Sequence, residues 1–218
     1  MIGLNFGLNK KRKPKIKLNN KIKKKSPLDF GIKKAKRSKL LNKNVIKKTK
    51  LDSKRINKYS GLTQKEQFIL EKTCLNKINK NFTCICKKKS NHFPKICSST
   101  NGNLTLTNCG VSLNNYKKYV KNNEIDTIVI KNKEEQINCI LHNLEKNKVK
   151  HLDMCTDGKN LCVSKFGILS LIDFNIASIN NECTTNQIRI RLESYGNNND
   201  SYNKYMKNRI IETIKNTM

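Results

Sequence analysis

Residues 132–175 constrain the fold of this chain more than any other stretch. Apolar residues recur with helical spacing in residues 132–148, with acids at the start and lysines at the end, so this segment predicts an amphipathic helix whose charges suit its dipole. A short run at 149–152 (VKHL), apolar at its two ends, and a loop containing Thr, Asp and Gly come next. Residues 161–172 then predict a β-hairpin. Its second strand ends at Asp173, which places an acid at a strand terminus.

Three oxygen-bearing side chains border this loop and hairpin. The triplet His-Leu-Asp occupies 151–153, Asn160 follows seven residues after the aspartate, and Asp-Phe-Asn occupies 173–175. Phosphoryl transfer requires a carboxylate that accepts or orients the acceptor hydroxyl, and oxygen ligands that hold magnesium against the phosphates. Asp153, Asn160 and Asp173 could supply these groups, because they lie on two adjacent loops.

The same order of motifs resembles the catalytic core of the protein kinase superfamily, in which an HxD loop, a downstream Asn and a DFG triplet face one nucleotide. The resemblance implies an α+β fold, a truncated form of the two-lobe kinase-like fold, with ATP and Mg²⁺ as cofactors. It implies that Asp153 is the base or acceptor-orienting carboxylate. It also implies that Asn160 and Asp173 are the magnesium ligands.

The N-terminal side of the chain extends the resemblance. Residues 44–47 (NVIK) are similar to the strand whose lysine reaches the nucleotide phosphates and pairs with a helix glutamate. Lys47 would then serve both catalysis and cofactor binding, and we expect it to form an ion pair with Glu66, which opens a predicted helix. A non-catalytic alternative stands beside this, because residues 63–66 form an S/T-x-x-E capping box.

Further along, the order of segments is also similar to that of the family. Residues 92–97 resemble the loop and strand that follow the regulatory helix, and residues 104–106 resemble the fifth strand. Asn108, Cys109 and Gly110 resemble the connection whose backbone groups bind the adenine edge. The resemblance therefore implies that these three residues bind the cofactor.

Several details depart from the family pattern. The interval from Asp153 to Asn160 is seven residues instead of five, which predicts an altered magnesium geometry. Leu152 stands where many members have an arginine, so control through a phosphorylated activation loop is not expected. Asn175 replaces the glycine of DFG, and Asn tolerates positive φ well. A GxGxxG loop is absent and residues 29–31 (DFG) are its only candidate remnant, which predicts weak nucleotide affinity or an atypical clamp.

Positive charge is concentrated at the start of the chain. Residues 1–60 hold 22 Lys or Arg and two acids, against 24 and 14 in the remainder. We expect residues 1–25 to form a disordered basic arm that binds nucleic acid, anionic lipid or an acidic partner; a solubilising tail is the alternative. Residues 26–111 are the expected N-lobe-like region, a small antiparallel sheet with one helix. Residues 112–218 are the expected truncated and mainly helical C-lobe.

Nine cysteines, an odd number with no CxxC pair, predict neither a disulfide framework nor spaced zinc ligands. Cys84 and Cys86 fit alternating positions of a strand in FTCIC, and Cys139 and Cys162 fit the core. His92 is expected in a loop, with no catalytic or metal-binding role. No apolar run approaches membrane-spanning length. We therefore expect an intracellular location, in host cytoplasm, nucleus or virion, since the Lys-, Asn- and Ile-rich composition is typical of an AT-rich genome such as that of a large virus.

Only 45 residues follow Asp173, with an Asn-rich linker predicted at 194–203 and a final amphipathic helix at about 202–216. The peptide-binding platform of a full protein kinase is not recognisable there. The sequence thus predicts a compact, atypical phosphotransferase that moves the γ-phosphate of ATP to a hydroxyl, with a protein serine or threonine as the expected acceptor. The alternative is an inactive pseudokinase scaffold that docks through residues 1–60. A pure nucleic-acid packaging protein leaves residues 132–175 unexplained.

Overall fold

The computed structural model describes residues 44–87, 89–196 and 198–218. These residues form a mixed α+β fold of helices and small antiparallel sheets. The predicted arm at 1–25 and the candidate remnant at 29–31 lie outside the described residues. Among the residues described, none of the helices combines the length and apolar character that a membrane span requires.

The described part of the chain contains five helices and eight strands. The helices are α1 (Gln64–Lys80), α2 (Leu113–Lys121), α3 (Lys133–Lys146), α4 (Asn186–Tyr195) and α5 (Asn199–Thr217). The strands are β1 (Val45–Lys48), β2 (Ile96–Thr100), β3 (Asn103–Leu106), β4 (Val111–Ser112), β5 (Val149–His151), β6 (Leu161–Val163), β7 (Leu169–Leu171) and β8 (Ala177–Ile179).

The first sheet has the order β1-β3-β2, and both pairings are antiparallel. Thr63 caps the start of α1 with both hydrogen bonds of a capping box, as the sequence predicted. The threonine side chain accepts from the backbone of Glu66, and the glutamate side chain accepts from the backbone of Thr63. Its buried residues include Cys74, Leu75 and Ile78. Lys47 lies on β1, which is an edge strand of this sheet.

The segment 132–175 folds as its pattern predicted. Helix α3 buries its apolar stripe completely, including Ile140 and Leu144, and the β6–β7 hairpin forms with Leu161 opposite Leu171. The short run before the loop is β5, which pairs with β8 so that His151 faces Ala177. The loop follows β5 and the acidic turn precedes β8, so the pairing of these two strands brings the loop and the turn to the same end of the pair.

Two local predictions are wrong. Residues 82–86 (FTCIC) form no strand, because the buried Asn143 of α3 supplies the hydrogen bonds that a neighbouring strand would: it accepts from Thr83 N at 2.8 Å and donates to Thr83 O at 2.8 Å. The Asn-rich linker predicted at 194–203 is shorter than expected, because α4 ends at Tyr195 and α5 begins at Asn199. Both helices have a side-chain N-cap, Thr185 for α4 and Asn198 for α5. Helix α4 was not predicted, whereas the final helix was.

Candidate functional site

Lys47 is the centre of a three-residue ion cluster. Its Nζ lies 2.6 Å from Oε2 of Glu71 and 2.6 Å from Oδ1 of Asp173. The expected Lys47–Glu66 pair is therefore wrong. Glu66 is exposed and its carboxylate bonds to Thr63. Five residues along a helix turn the side chain by about 140°, so Glu71 reaches the sheet-facing side of α1 while Glu66 does not.

Burial and charge act in opposite directions on this cluster. Burial disfavours the charged form of Lys47, but the carboxylates of Glu71 and Asp173 outweigh it and raise the pKa of Lys47 above its ordinary value. Burial raises the pKa of Glu71, and Lys47 opposes that rise. Lys47 therefore stays cationic at neutral pH and can attract an anionic group to this point.

Asn160 closes the loop that starts at Asp153. Its Nδ2 donates to the backbone oxygen of Asp153 at 2.7 Å and to Oδ2 of the same residue at 3.1 Å. The side-chain amide of Asn160 therefore reaches Asp153 although seven residues separate the two instead of five. The two additional residues are accommodated in a turn in which Lys159 and Asp157 form an ion pair. Burial raises the pKa of Asp153 above its ordinary value, although the hydrogen bond from Asn160 and the charge of Arg191 oppose the rise.

His151 connects the loop to the acidic turn. Its Nε2 lies 3.0 Å from the backbone oxygen of Ile172, and its Nδ1 lies 3.3 Å from the backbone N of Asp153. These partners assign the proton to Nε2, and burial lowers the pKa of His151, so the ring is neutral. The ring also meets Phe174 edge-on at 5.0 Å between centroids. Loop and turn are therefore held as one unit.

Arg191 of α4 is a functional candidate that the sequence did not reveal. Its Nη1 donates to the backbone oxygen of Leu152 at 2.7 Å and lies 3.5 Å from Oδ1 of Asp153, while its Nε donates to the oxygen of Tyr59 at 2.9 Å. The triplet at 151–153 lacks an arginine of its own, and Arg191 brings a guanidinium to it from 38 residues away. No spacing rule joins two such positions, so only the packing of α4 could show the pair.

Two tyrosine hydroxyls form hydrogen bonds with the backbone of residues 151–154. The hydroxyl of Tyr202 on α5 accepts from the N–H of His151 at 2.7 Å and donates to its carbonyl at 3.2 Å. The hydroxyl of Tyr195 on α4 accepts from the N–H of Met154 at 3.1 Å. Helices α4 and α5 thus satisfy loop groups that are shielded from water.

Two adjoining cavities surround these groups. The first, called here the carboxylate cavity, has a volume of about 520 Å³ and the second, called the apolar cleft, about 270 Å³; both include Ile172 and Asp173 in their walls. The carboxylate cavity is also lined by Asp153, Asn160, Asn175 and Arg191. The apolar cleft is also lined by Val45, Lys47, Leu106, Asn108, Cys109, Gly110 and Cys162.

The predicted site residues therefore converge on one region, with Glu66 the exception. Asp153 and Asp173 line one cavity, and Asp173 also borders the cleft that contains Lys47 and residues 108–110. Oxygen atoms predominate among the polar groups of the carboxylate cavity, and these are the ligands that Mg²⁺ prefers. Asp173 and Asn160 are the residues that could hold such an ion.

The acidic turn differs from the predicted one in backbone geometry. The residue with positive φ is Asp173, at 64°, and Asn175 does not have positive φ. Oδ1 of Asn175 is buried and has no hydrogen-bond partner within the described part of the chain. Since buried polar atoms are rarely left unpaired, this oxygen has capacity for a further donor or a cation.

Residues 108–110 form a tight connection between β3 and β4. Gly110 has a φ of 101°, and a Cβ there would clash with the carbonyl of Val163, so glycine is required. The N–H of Gly110 donates to Oδ1 of Asn108 at 2.8 Å. Burial raises the pKa of Cys109 to about 11, so its thiol stays protonated beside the apolar cleft.

Comparison with known proteins adds no family assignment. No protein-family model matches the chain, and none of the curated proteins matches it either. The chemistry of the site is therefore argued from its own residues.

Proposed function

We propose that the chain is an ATP- and Mg²⁺-dependent phosphotransferase of the protein kinase-like superfamily. The observation that carries the proposal is the convergence of Lys47, Asp153 and Asp173 on two adjoining cavities, although 106 and 20 residues separate them in sequence. Phosphoryl transfer is catalysed almost entirely by positioning and charge stabilisation, which is what such a set provides.

The apolar cleft is the proposed nucleotide site. It adjoins the β1-β3-β2 sheet on one side and the β6–β7 hairpin on the other, which fits the two-lobe arrangement of the superfamily. Lys47, held by Glu71, would contact the phosphates, so Glu71 takes the role first given to Glu66. The adenine edge would face the backbone of Asn108 and Cys109, because the N–H of Gly110 is engaged within the connection.

The carboxylate cavity is the proposed acceptor site. Asp173 and Asn160 would hold Mg²⁺, which supplies neutralisation of the phosphate charge. Asp153 would orient the acceptor hydroxyl and take its proton as the acceptor oxygen bonds to the γ-phosphorus and the bond from that phosphorus to the ADP oxygen breaks. Asn160 and Arg191 fix the Asp153 carboxylate for this task. A protein serine or threonine is the proposed acceptor.

The proposal is tested with two isosteric variants and one control. Asp173→Asn should abolish Mg²⁺-dependent ATP binding, whereas Asp153→Asn should leave ATP binding intact and reduce turnover by about 10²- to 10⁴-fold, the usual contribution of general acid–base catalysis. Asp52→Asn, at an exposed turn, should match the wild type in both assays. Equal ATP turnover by all four proteins would refute the assignment.

A second function is favoured by one contact. Lys47 bonds directly to Asp173, so a lysine occupies an oxygen of the proposed magnesium ligand. A pseudokinase scaffold could retain this cluster as a structural ion pair and dock on nucleic acid or an acidic partner through residues 1–60. Thermal unfolding with and without Mg-ATP separates the two, because a ligand at 100 times its dissociation constant stabilises the native state by about 2.7 kcal/mol. No stabilisation would favour the scaffold.

A further inference from the structure

A cluster of thiols lies outside the proposed active site, between the loop that follows α1 and the helix α3. The Sγ atoms of Cys84, Cys86 and Cys139 all lie within 4.8 Å of one another, and the first two are 3.4 Å apart. All three cysteines are free, and Cys86 and Cys139 are buried while Cys84 is half-buried. The cluster is thus assembled from two distant segments and retains an opening to solvent at Cys84.

His92 adds an imidazole to this cluster. Its Nε2 lies 3.2 Å from Sγ of Cys86, and its Nδ1 lies 2.6 Å from the backbone oxygen of Leu169. A carbonyl can only accept, so Nδ1 carries the proton and Nε2 turns its lone pair toward the sulfur. A ring fixed in this way by a backbone carbonyl is the usual arrangement of a histidine that binds a metal through its other nitrogen.

We propose that Cys84, Cys86, Cys139 and His92 bind one structural Zn²⁺ ion. Three thiolates and one imidazole form a common closed tetrahedral zinc set. Zn–S bonds of about 2.3 Å and Zn–N bonds of about 2.0 Å place ligand atoms about 3.5 to 3.8 Å apart at tetrahedral angles. The distances from Cys86 to Cys84 and to His92, 3.4 and 3.2 Å, differ from those values by a few tenths of an ångström.

Asn143 joins Cys139 to the loop that carries Cys84 and Cys86. Its Nδ2 donates to the backbone oxygen of Thr83 at 2.8 Å and to that of Cys139 at 2.9 Å. Binding of zinc would displace the thiol protons of the three cysteines to solvent.

The position of the site indicates what the ion does. It would join the loop after α1 to α3, and the described residues of that loop, 81–87 and 89–95, form neither strand nor helix. Loops of this length inside a compact domain are uncommon unless something fixes them. The same loop carries Phe93, whose ring lies 6.0 Å from that of Phe174 in the acidic turn. Zinc would therefore hold in place a loop that packs against the proposed active site, and the zinc proposal does not depend on phosphotransfer.

The sequence offers no familiar zinc spacing for these residues. Cys84 and Cys86 are separated by one residue where zinc sites commonly have two to four, and Cys139 is 53 residues further on. The alternating pattern of FTCIC predicts a strand instead, and no pattern in the sequence indicates a role for His92. Only the packing of the loop on α3 brings the three cysteines together, and His92 contacts this cluster at Cys86.

The experiment uses the full chain purified under reducing conditions, with metal content measured by elemental mass spectrometry. We expect one zinc per chain, and we expect the chelated protein to show thiolate-to-metal charge-transfer absorption when titrated with Co²⁺ alone. Cys86→Ser and Cys139→Ser should weaken Co²⁺ binding by more than the roughly 10- to 100-fold that loss of an outer-shell partner costs, and His92→Ala should weaken it also. Cys97→Ser and Cys183→Ser, at exposed cysteines away from the cluster, should bind as the wild type does.

A second measurement covers variants that fail to fold. In the wild-type protein, alkylation of Cys84 mapped by mass spectrometry should be slow with zinc and should accelerate when a chelator is added, whereas alkylation of Cys97 should not change. Absence of metal together with absence of the Co²⁺ absorption would overturn the proposal. A Cys84–Cys86 disulfide in place of metal would also overturn it, as would full zinc content in the Cys86 and Cys139 variants.

Discussion

Replacing Glu71 with Gln tests the identity of the glutamate that holds Lys47. Loss of one partner of a buried ion pair costs about 3 to 5 kcal/mol. Glu71 is 2% exposed, but Lys47 is 33% exposed and keeps Asp173 as a second partner, so solvent and the remaining carboxylate reduce the loss. We therefore expect Glu71→Gln to lower the free energy of unfolding by about 2 kcal/mol, which lowers Tm by about 4 to 8 °C for a chain of this length.

Nucleotide affinity provides the functional readout of the same change. Without Glu71, Lys47 is drawn to Asp173 alone and is no longer held toward the proposed phosphate position, so we expect ATP to bind about 10-fold more weakly, equivalent to about 1.4 kcal/mol. Titration calorimetry with Mg-ATP measures this change, and urea unfolding measures the stability.

Glu66→Gln is the matched control, since it is the same substitution on the same helix. Its carboxylate contacts only Thr63 among the contacts described, so it should cost less than about 1 kcal/mol and leave ATP affinity within about twofold. The argument fails if the two variants lose equal ATP affinity, or if Glu71→Gln binds ATP as the wild type does.

Two further predictions concern the loop at Asp153. Burial places the pKa of Asp153 above its ordinary value, and its ionised form is the proposed base, so turnover should fall as pH decreases through that pKa and level off above it. A pH–rate profile whose acidic limb persists in Asp153→Asn would contradict this. Tyr202→Phe leaves the N–H and C=O of His151 unpaired in a buried position, so it should cost about 2 kcal/mol in urea unfolding, whereas Tyr205→Phe at a partly buried site on the same helix should cost less than half of that.

The local pattern of the sequence determined the elements that carry the site. Helical spacing in residues 132–148 yielded α3, because one buried face produces a helical period. The apolar runs before Asp173 yielded the β6–β7 hairpin, whose strands are buried on both faces. The capping box at Thr63 and Glu66 was also legible in the sequence, since it depends on residues three apart.

Tertiary structure decided which of these side chains meet. Glu71 and Glu66 lie on the same predicted helix, and only the direction in which α1 packs selects Glu71 for Lys47. Arg191 reaches Asp153 from α4, a helix that the sequence pattern did not predict, and Cys139 joins Cys84 across 55 residues. Sequence spacing fixes the face of an element on which a residue lies. The neighbour that this face contacts depends on long-range packing, which no local pattern encodes.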